Sequence, residues 1–240
     1  MLQAVLFDMD GTLLNVDMDE FVPVYLRELS EAMSEVFDPE FFYEILMKST
    51  DVILKERRDE RTNFEAFWED FTPRLGDKKE RLMAQYNRYY DGQYGSLVRM
   101  TKPEELACPA VQKALDHGLK IVLATNPVLF PETAIRQRMR WAGIDKIPWD
   151  LITTSETMHN CKPSQRYYRE ITSLINVKPE NCLMVGNEEP NDIIPAQNIN
   201  MFTFQITEAT GARKSPGNNK KYGAGALSDF IPWLENLLAQ

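Results

Sequence analysis

The sequence predicts an α/β protein built on a doubly wound parallel sheet. Short, continuous apolar runs recur along the chain, at residues 4–7, 119–125, 151–154, 182–186 and 201–206. Such a run is typical of a strand that is buried on both faces, as in a parallel sheet. Helical patterns separate the later runs, at residues 103–117, 131–142, 164–175 and 191–197. This alternation of strand and helix predicts a parallel sheet with helices packed on both faces.

One long stretch departs from that alternation. Between about residues 16 and 99 there is no run typical of a buried strand, and apolar residues recur instead at helical spacing. Four helical patterns follow one another, at residues 21–36, 39–55, 63–75 and 78–90. Because the stretch is too long for a plain loop, we expect a separate, smaller all-helical domain over residues 16–99. The core would then comprise residues 1–15 plus 100–240.

The last part of the chain predicts a loop and a helix. Residues 207–225 are rich in Gly, Lys and Asn, which is typical of an exposed loop. Ser228 is expected to begin a short final helix over residues 229–238, with Pro232 in its first turn.

Charge and composition exclude several classes of protein. The formal net charge of −9 gives no overall attraction for nucleic acid or an anionic membrane. No apolar run reaches the roughly 18 residues of a membrane span, and the N-terminus lacks the basic region of a signal peptide. Three cysteines without a CxxC pair favour free thiols over a disulfide framework or a zinc site. We therefore expect a cytoplasmic protein whose partner is a small molecule; the sequence does not indicate an oligomeric state.

Two carboxylates follow the first predicted strand directly. Asp8 and Asp10 stand one residue apart, ahead of Gly11 and Thr12. Ligands of open α/β folds bind beyond the carboxyl ends of the strands. Two carboxylates held together at that edge repel each other unless a cation or a shared proton lies between them. The pair therefore indicates a functional site.

The motifs of the chain resemble those of the haloacid dehalogenase (HAD) superfamily. The segment VLFDMDGTLL at residues 5–14 is similar to the first motif, DxDGT. Thr125, at the end of IVLAT, resembles the second motif, and Lys162, before Pro163, resembles the third. The segment VGNEEPND at residues 185–192 resembles the fourth, GDxxxxD. The resemblance covers nearly the whole chain and implies a Rossmann-like core with a helical cap inserted after the first motif.

The resemblance also implies roles for these residues. Asp8 would be the nucleophile and form an aspartyl phosphate, while Asp10 would act as general acid and then general base. Thr125, Asn126 and Lys162 would contact the substrate phosphate. Mg²⁺ would bind the Asp8 carboxylate and the Asp10 backbone carbonyl, because it prefers oxygen ligands.

The fourth motif departs from the family pattern at Asn187, where an aspartate metal ligand is usual. Asparagine keeps a carbonyl oxygen but lacks the negative charge. We expect weaker metal binding unless Glu188 or Asp192 supplies the carboxylate. The sequence leaves open which of the three contacts the metal.

The expected function is a Mg²⁺-dependent phosphatase acting on a small phosphorylated metabolite. A capped phosphomutase is one alternative, and a HAD-fold binding or regulatory protein with weakened catalysis is another, which Asn187 favours. Dehalogenase chemistry attacks carbon and needs no second acid, so Asp10 argues against it. Arg57, Arg58 and Arg61 in the helical insert are candidates to contact the leaving group, although such a charge run is usually a solvated helix face.

Overall fold

The computed structural model describes residues 1–55, 60–207 and 221–239. Within these ranges, none of the helices combines the length and the apolar character that spanning a membrane requires.

A six-stranded sheet, parallel throughout, forms the core. The eight strands of the described chain are β1 (Ala4–Phe7), β2 (Leu14–Val16), β3 (Thr101–Pro103), β4 (Lys120–Leu123), β5 (Leu151–Ile152), β6 (Cys182–Gly186), β7 (Phe202–Ile206) and β8 (Tyr222–Gly225). The strand order in the large sheet is β5-β4-β1-β6-β7-β8, with β2 and β3 forming a separate antiparallel pair. The predicted parallel sheet is confirmed, with β1 at its centre.

Helices cover the sheet and fill the insert. They are α1 (Met18–Ala32), α2 (Pro39–Leu54), α3 (Asn63–Leu75), α4 (Lys79–Asp91), α5 (Ala107–Asp116), α6 (Glu132–Trp141), α7 (Gln165–Leu174), α8 (Ile194–Asn198) and α9 (Leu227–Leu238). A 3₁₀ helix, Gln93–Met100, joins α4 to β3.

Alternate residues of the central strand enter two different hydrophobic clusters. Val5 and Phe7 pack in a cluster with buried residues of α5, α6 and α9. Ala4 and Leu6 pack in the other, with residues of α7 and α8. Because successive side chains of a strand point to opposite faces, both faces of the sheet are buried, as the continuous apolar runs predict.

The helices α1 to α4 and the 3₁₀ helix form one block, called here the helical segment (residues 18–100). The chain enters it through β2 and leaves it through β3, and these strands pair with Val16 opposite Thr101. Within the described residues, no part of the helical segment joins the six-stranded sheet.

Helix starts in this segment follow local sequence signals. The Asp17 carboxylate accepts from the Asp19 backbone N–H at 2.9 Å and caps α1. Asp38 caps α2 in the same way, and Pro39 occupies its first turn. Thr62 and Glu65 form a capping box at α3. These caps satisfy N–H groups that would otherwise lack helical partners.

Aromatic packing and hydrogen bonds hold the helical segment against the core. The Tyr25 ring lies 4.8 Å from the Phe130 ring, and its hydroxyl donates to the Leu129 carbonyl at 3.0 Å. Tyr94 stacks on Trp141 of α6, with ring centroids 5.4 Å apart. At the start of α3, the Asn63 N–H donates to the Met158 carbonyl at 2.7 Å.

The prediction of a loop over residues 207–225 is wrong for its C-terminal end. Residues 222–225 form β8, which pairs in parallel with β7. A side chain at Gly223 would meet Phe204 at 2.5 Å and Trp233 at 2.8 Å, so glycine allows these aromatic rings to cover the strand. Glycine thus serves close packing here, although in the sequence it resembles a loop signal. Residues 208–220 lie outside the described ranges.

The last helix begins at Leu227 rather than Ser228, and the Asp229 carboxylate accepts from the Ala226 N–H at 3.0 Å.

Arg57 and Arg58 lie outside the described residues. Arg61 forms an exposed ion pair with Glu69.

Candidate active site

The carboxyl ends of β1, β4 and β6 bring the motif residues together. Phe7 at the end of β1 stands opposite Leu123 of β4 and Val185 of β6. Asp8 therefore follows the central strand, with the segments after β4 and β6 on either side. This is the edge at which open α/β sheets bind ligands.

The ammonium group of Lys162 connects the segment after β1 to the segment after β6. Its Nζ donates to Asp8 Oδ1 and to Asp192 Oδ1, both at 2.6 Å. The lysine is 4% exposed. Burial lowers its pKa, but the attraction of Asp192 and Asp8 outweighs burial and holds the pKa well above its ordinary value. Lys162 thus supplies a permanent positive charge beside Asp8.

The loop before Lys162 is fixed by a single carboxylate. Glu170 of α7 accepts from the backbone N–H of His159 at 2.8 Å and from that of Asn160 at 3.1 Å. The side chains of both residues also bond to this carboxylate. Four contacts on one helical side chain hold the loop in place, and with it the position from which Lys162 reaches Asp8.

The second carboxylate of the first motif has a different cation. Arg138 Nη1 of α6 donates to Asp10 Oδ2, and the arginine is 1% exposed. Burial raises the pKa of Asp10 and the charge of Arg138 lowers it; the net shift is upward. A raised pKa increases the protonated fraction, which is the form a general acid requires.

Thr12 connects the first motif to the fourth. Its hydroxyl lies 3.2 Å from Asp8 Oδ2 and 3.2 Å from Asn187 Oδ1. A hydroxyl has one proton to donate, so the two acceptors share it. Gly11, at φ +80°, allows the close approach, because a Cβ there would lie 2.3 Å from Asn187 Nδ2.

Asp192 lies behind Lys162 and is nearly completely buried. Its Oδ1 accepts from Lys162, and its Oδ2 accepts from the Glu188 backbone N–H at 3.1 Å. Glu188 itself is exposed, and its carboxylate accepts from the Asn191 side chain. Both oxygens of Asp192 are therefore already engaged.

The second motif lies on the other side of Asp8. The Thr125 carbonyl accepts from the Thr153 hydroxyl at 2.7 Å and from the Tyr167 hydroxyl at 2.9 Å, which fixes the backbone there. The buried Oδ1 of Asn126 has no hydrogen-bond partner among the described residues.

A cavity of about 240 Å³ joins these groups. Its polar wall contains Asp8, Asp10, Thr125, Asn126, Lys162, Glu188 and Asn191. Apart from Thr50 of α2, the rest of the lining is an apolar wall. It comes from both the helical segment and the loop after β4: Met18, Met47, Leu54, Val128, Leu129 and Phe130. The arrangement offers two acids, a buried ammonium and a hydroxyl beneath a largely apolar cover.

Comparison with known proteins establishes the family. The family model for haloacid dehalogenase-like hydrolases matches residues 2–200. The chain belongs to this family.

Individual relatives of this HAD-like hydrolase are distant. Pyrophosphatase PpaX of Bacillus cereus (strain B4264) is 22% identical over 237 residues, covering 98% of both chains. A HAD phosphatase from Thermococcus onnurineus aligns with a TM-score of 0.57 at 20% identity, covering 97% of this chain and 98% of that one. A 2-haloacid dehalogenase from Pseudomonas syringae pv. Tomato DC3000 aligns with a TM-score of 0.59 at 16% identity, covering 100% and 99%. The solved structures support the fold alone.

The predicted site residues of this HAD-like hydrolase fall into two groups. Six of the eight line the cavity: Asp8, Asp10, Thr125, Asn126, Lys162 and Glu188. Asn187 lies to one side, against Thr12. Asp192 lies behind Lys162.

The sequence motifs do not include Arg138. One signal could have found it: α6 buries Ala134, Ile135, Arg138 and Met139 on a single face. An arginine at a core position of an amphipathic helix needs a buried partner, and Asp10 is that partner.

We predict that Gly186→Ala displaces Asp192, the buried carboxylate that accepts a hydrogen bond from Lys162. A Cβ at Gly186 would lie 2.3 Å from Asp192 Oδ2, and Asp192 is too enclosed to move aside. We expect a loss of about 1–3 kcal/mol in the free energy of unfolding, measured by chemical denaturation. Gly95→Ala is the control, because its Cβ would meet only Gln137 Oε1, at 3.8 Å. Equal stability of both variants would contradict the proposed packing.

Proposed function

We propose that this HAD-like hydrolase is a Mg²⁺-dependent phosphatase that hydrolyses a small phosphorylated metabolite through an aspartyl phosphate on Asp8. The observation that carries the proposal is Asp10, a second carboxylate lining the same cavity as Asp8 and held by a buried arginine. Attack on carbon with loss of halide needs no proton donor, whereas release of an alkoxide from phosphorus does. The similarity to pyrophosphatases also favours phosphorus as the atom attacked.

The chemistry proceeds in two displacements. An oxygen of Asp8 attacks phosphorus, the bond to the leaving-group oxygen breaks, and that oxygen takes the bonding electrons and a proton from Asp10. Water then attacks the aspartyl phosphate while Asp10 accepts its proton. The phosphorus–Asp8 bond breaks, which releases inorganic phosphate and restores both carboxyl groups.

The groups around Asp8 suit a transferring phosphoryl group. Lys162 offsets the charge of the nucleophile and can attract a phosphoryl oxygen. Thr125 and Asn126, on the polar wall of the cavity, carry donors for the other oxygens. Because Asp8 and Asp192 hold Lys162 before the substrate arrives, its ammonium group acts in the transition state with little reorganisation.

The donor set fits magnesium. Asp8 Oδ2 and Asn187 Oδ1 lie on either side of one hydroxyl, and both are hard oxygen ligands, as Mg²⁺ prefers. Asp8, the Asp10 carbonyl and Asn187 would hold the ion. Asn187 is favoured over Asp192 because Asp192 is almost completely buried behind Lys162. It is favoured over Glu188 because Asn187 shares the Thr12 hydroxyl with Asp8, whereas the Glu188 carboxylate accepts from Asn191. When bound, Mg²⁺ would offset negative charge on Asp8 and the substrate phosphate.

We also propose that residues 16–99 act as a cap domain over a core of residues 1–15 plus 100–240. Support comes from the paired strands β2 and β3, which carry both connections between the two parts. Further support comes from the cavity, whose apolar wall includes Met18, Met47 and Leu54 of the insert. A lid that closes over the site would exclude water and contact the leaving group.

Loss of the nucleophile tests the mechanism. We expect Asp8→Asn to lower the hydrolysis of phosphate esters by a factor of at least about 10³, because the amide cannot attack phosphorus. Turnover of a chromogenic phosphate ester with and without Mg²⁺ measures this. Asp19→Asn, the same change at an exposed carboxylate, should keep wild-type activity. Near wild-type turnover in Asp8→Asn would overturn the proposed mechanism.

The charge at position 187 tests the metal assignment. We expect Asn187→Asp to bind Mg²⁺ about tenfold more tightly without substrate, about 1.4 kcal/mol, because it restores an anionic ligand. Calorimetric titration measures the change. Asn181→Asp, just before the opposite end of β6, adds the same charge away from the site and should leave the affinity unchanged. Unchanged affinity in Asn187→Asp would mean that this position does not face the metal.

The cysteines test opening of the cap. The Cys161 thiol is buried and contacts the Ile53 carbonyl of α2, whereas Cys182 lies inside the sheet and Cys108 is exposed. We expect a thiol reagent to modify Cys108 first, then Cys161 as the cap opens, and Cys182 only on unfolding. Peptide mass spectrometry measures each rate, and Mg²⁺ with inorganic phosphate should slow Cys161 selectively. Equal rates for Cys161 and Cys182 would contradict a moving cap.

A further inference from the structure

Arg138 occupies a position at which an apolar side chain would be expected. It lies on the buried face of α6 between Ile135 and Met139, and it is among the largest fully buried side chains of the described chain. Arginine remains charged at all ordinary pH values, and a buried charge is costly unless it is paired. Its contacts should therefore show what the charge does.

Arg138 contacts one carboxylate and one aromatic ring. Arg138 Nη1 donates to Asp10 Oδ2, and the guanidinium carbon lies 3.8 Å from the centre of the Phe130 ring. The ring face attracts the cation. Among the described residues, Nε and Nη2 of Arg138 have no hydrogen-bond partner.

Stability alone explains this arrangement poorly. Replacement of a buried ion pair by apolar side chains of similar volume is often neutral or stabilising. Here the pair leaves two guanidinium nitrogens and Asp10 Oδ1 without hydrogen-bond partners in the described structure. Such unsatisfied groups cost free energy.

The two oxygens of Asp10 have different surroundings, and its backbone is held as well. Oδ2 accepts from Arg138, whereas Oδ1 is buried and has no hydrogen-bond partner among the described residues. The Asp10 side chain lines the cavity beside Asp8. The backbone is fixed as well, because the Gly11 N–H donates to the Leu14 carbonyl at 2.8 Å. A carboxyl group held at one oxygen and at its backbone has little freedom to rotate.

We propose that Arg138 is a positioning residue that holds the Asp10 carboxyl group in one orientation beside Asp8, from which Asp10 gives its proton to the leaving-group oxygen. The proposal rests on the proposed function, in which Asp10 is the proton donor. Arg138 is not among the described residues that line the cavity, so it acts through Asp10 rather than on the substrate. Its removal should therefore harm the step that needs proton transfer and spare steps that do not.

Arg138→Met tests the proposal, because methionine keeps an unbranched side chain and removes the charge. The readout is kcat/KM for a series of phosphate monoesters, from 2,4-dinitrophenyl phosphate to an alkyl phosphate. We expect a loss of about 100-fold on the alkyl ester, since small misplacements of a catalytic group have effects of this size. The dinitrophenyl ester, whose leaving group needs no proton, should lose less than about threefold. Arg140→Met, at an exposed position of the same helix, should match the wild type on every ester.

Two further variants separate positioning from damage to the fold. Arg138→Lys keeps the charge and should retain more activity on the alkyl ester than Arg138→Met. If Arg138→Met does not fold, Arg138→Lys is compared with the wild type on the same esters instead. In an Asp10→Asn background, Arg138→Met should have little further effect, because residues that act as a unit are not additive. An equal loss on all esters, or additive effects in the double variant, would overturn the proposal.

The same series distinguishes failure of this inference from failure of the proposed function. If Asp10→Asn lowers all esters equally, or if Asp8→Asn stays active, the phosphatase mechanism itself is wrong. If Asp10→Asn acts selectively on the alkyl ester and Arg138→Met does not, only the role of Arg138 is wrong.

Discussion

The buried ammonium of Lys162 is the interaction on which the rest of the site depends. It contacts Asp8 after β1 and Asp192 after β6, and these strands are neighbours in the sheet. Removing either carboxylate would leave the buried ammonium with one anionic partner instead of two. The ammonium keeps both partners only if three features are correctly placed. These are the strand register, the turn after β6 and the loop fixed by Glu170. A geometry specified by packing and charge together is well suited to hold a nucleophile in one orientation.

The parts of the fold that could be predicted are those in which a local pattern has one physical meaning. Continuous apolar runs indicated five of the six core strands, because a strand buried on both faces has no polar alternation. β8 was missed because Gly223 and Gly225 resemble a turn, and its packing under Trp233 involves residues distant in sequence. The short pair β2 and β3 was missed for a related reason, since its partners are separated by the whole helical segment.

The site shows the same division between ordered motifs and long-range partners. Asp8, Thr125 and Lys162 could be placed because each follows a predicted strand or belongs to a motif in the expected order. The partner of Asp10 could not be placed, because Arg138 belongs to no motif and reaches the site only through the packing of α6. The engagement of both Asp192 oxygens is likewise a property of the folded turn, in which the Glu188 N–H reaches back to the carboxylate.

The fold alone does not determine which atom the proposed nucleophile would attack, since a phosphatase and a dehalogenase are among the solved structures that share it. The difference lies in the proton demand of the leaving group. Halide departs as a stable anion, whereas an alkoxide leaving phosphorus needs a proton at the moment the bond breaks. A chain that buries an arginine against a second carboxylate bears a desolvation cost for which carbon–halogen chemistry gives no reason. The Arg138–Asp10 pair is therefore a more informative guide to the chemistry than overall structural similarity.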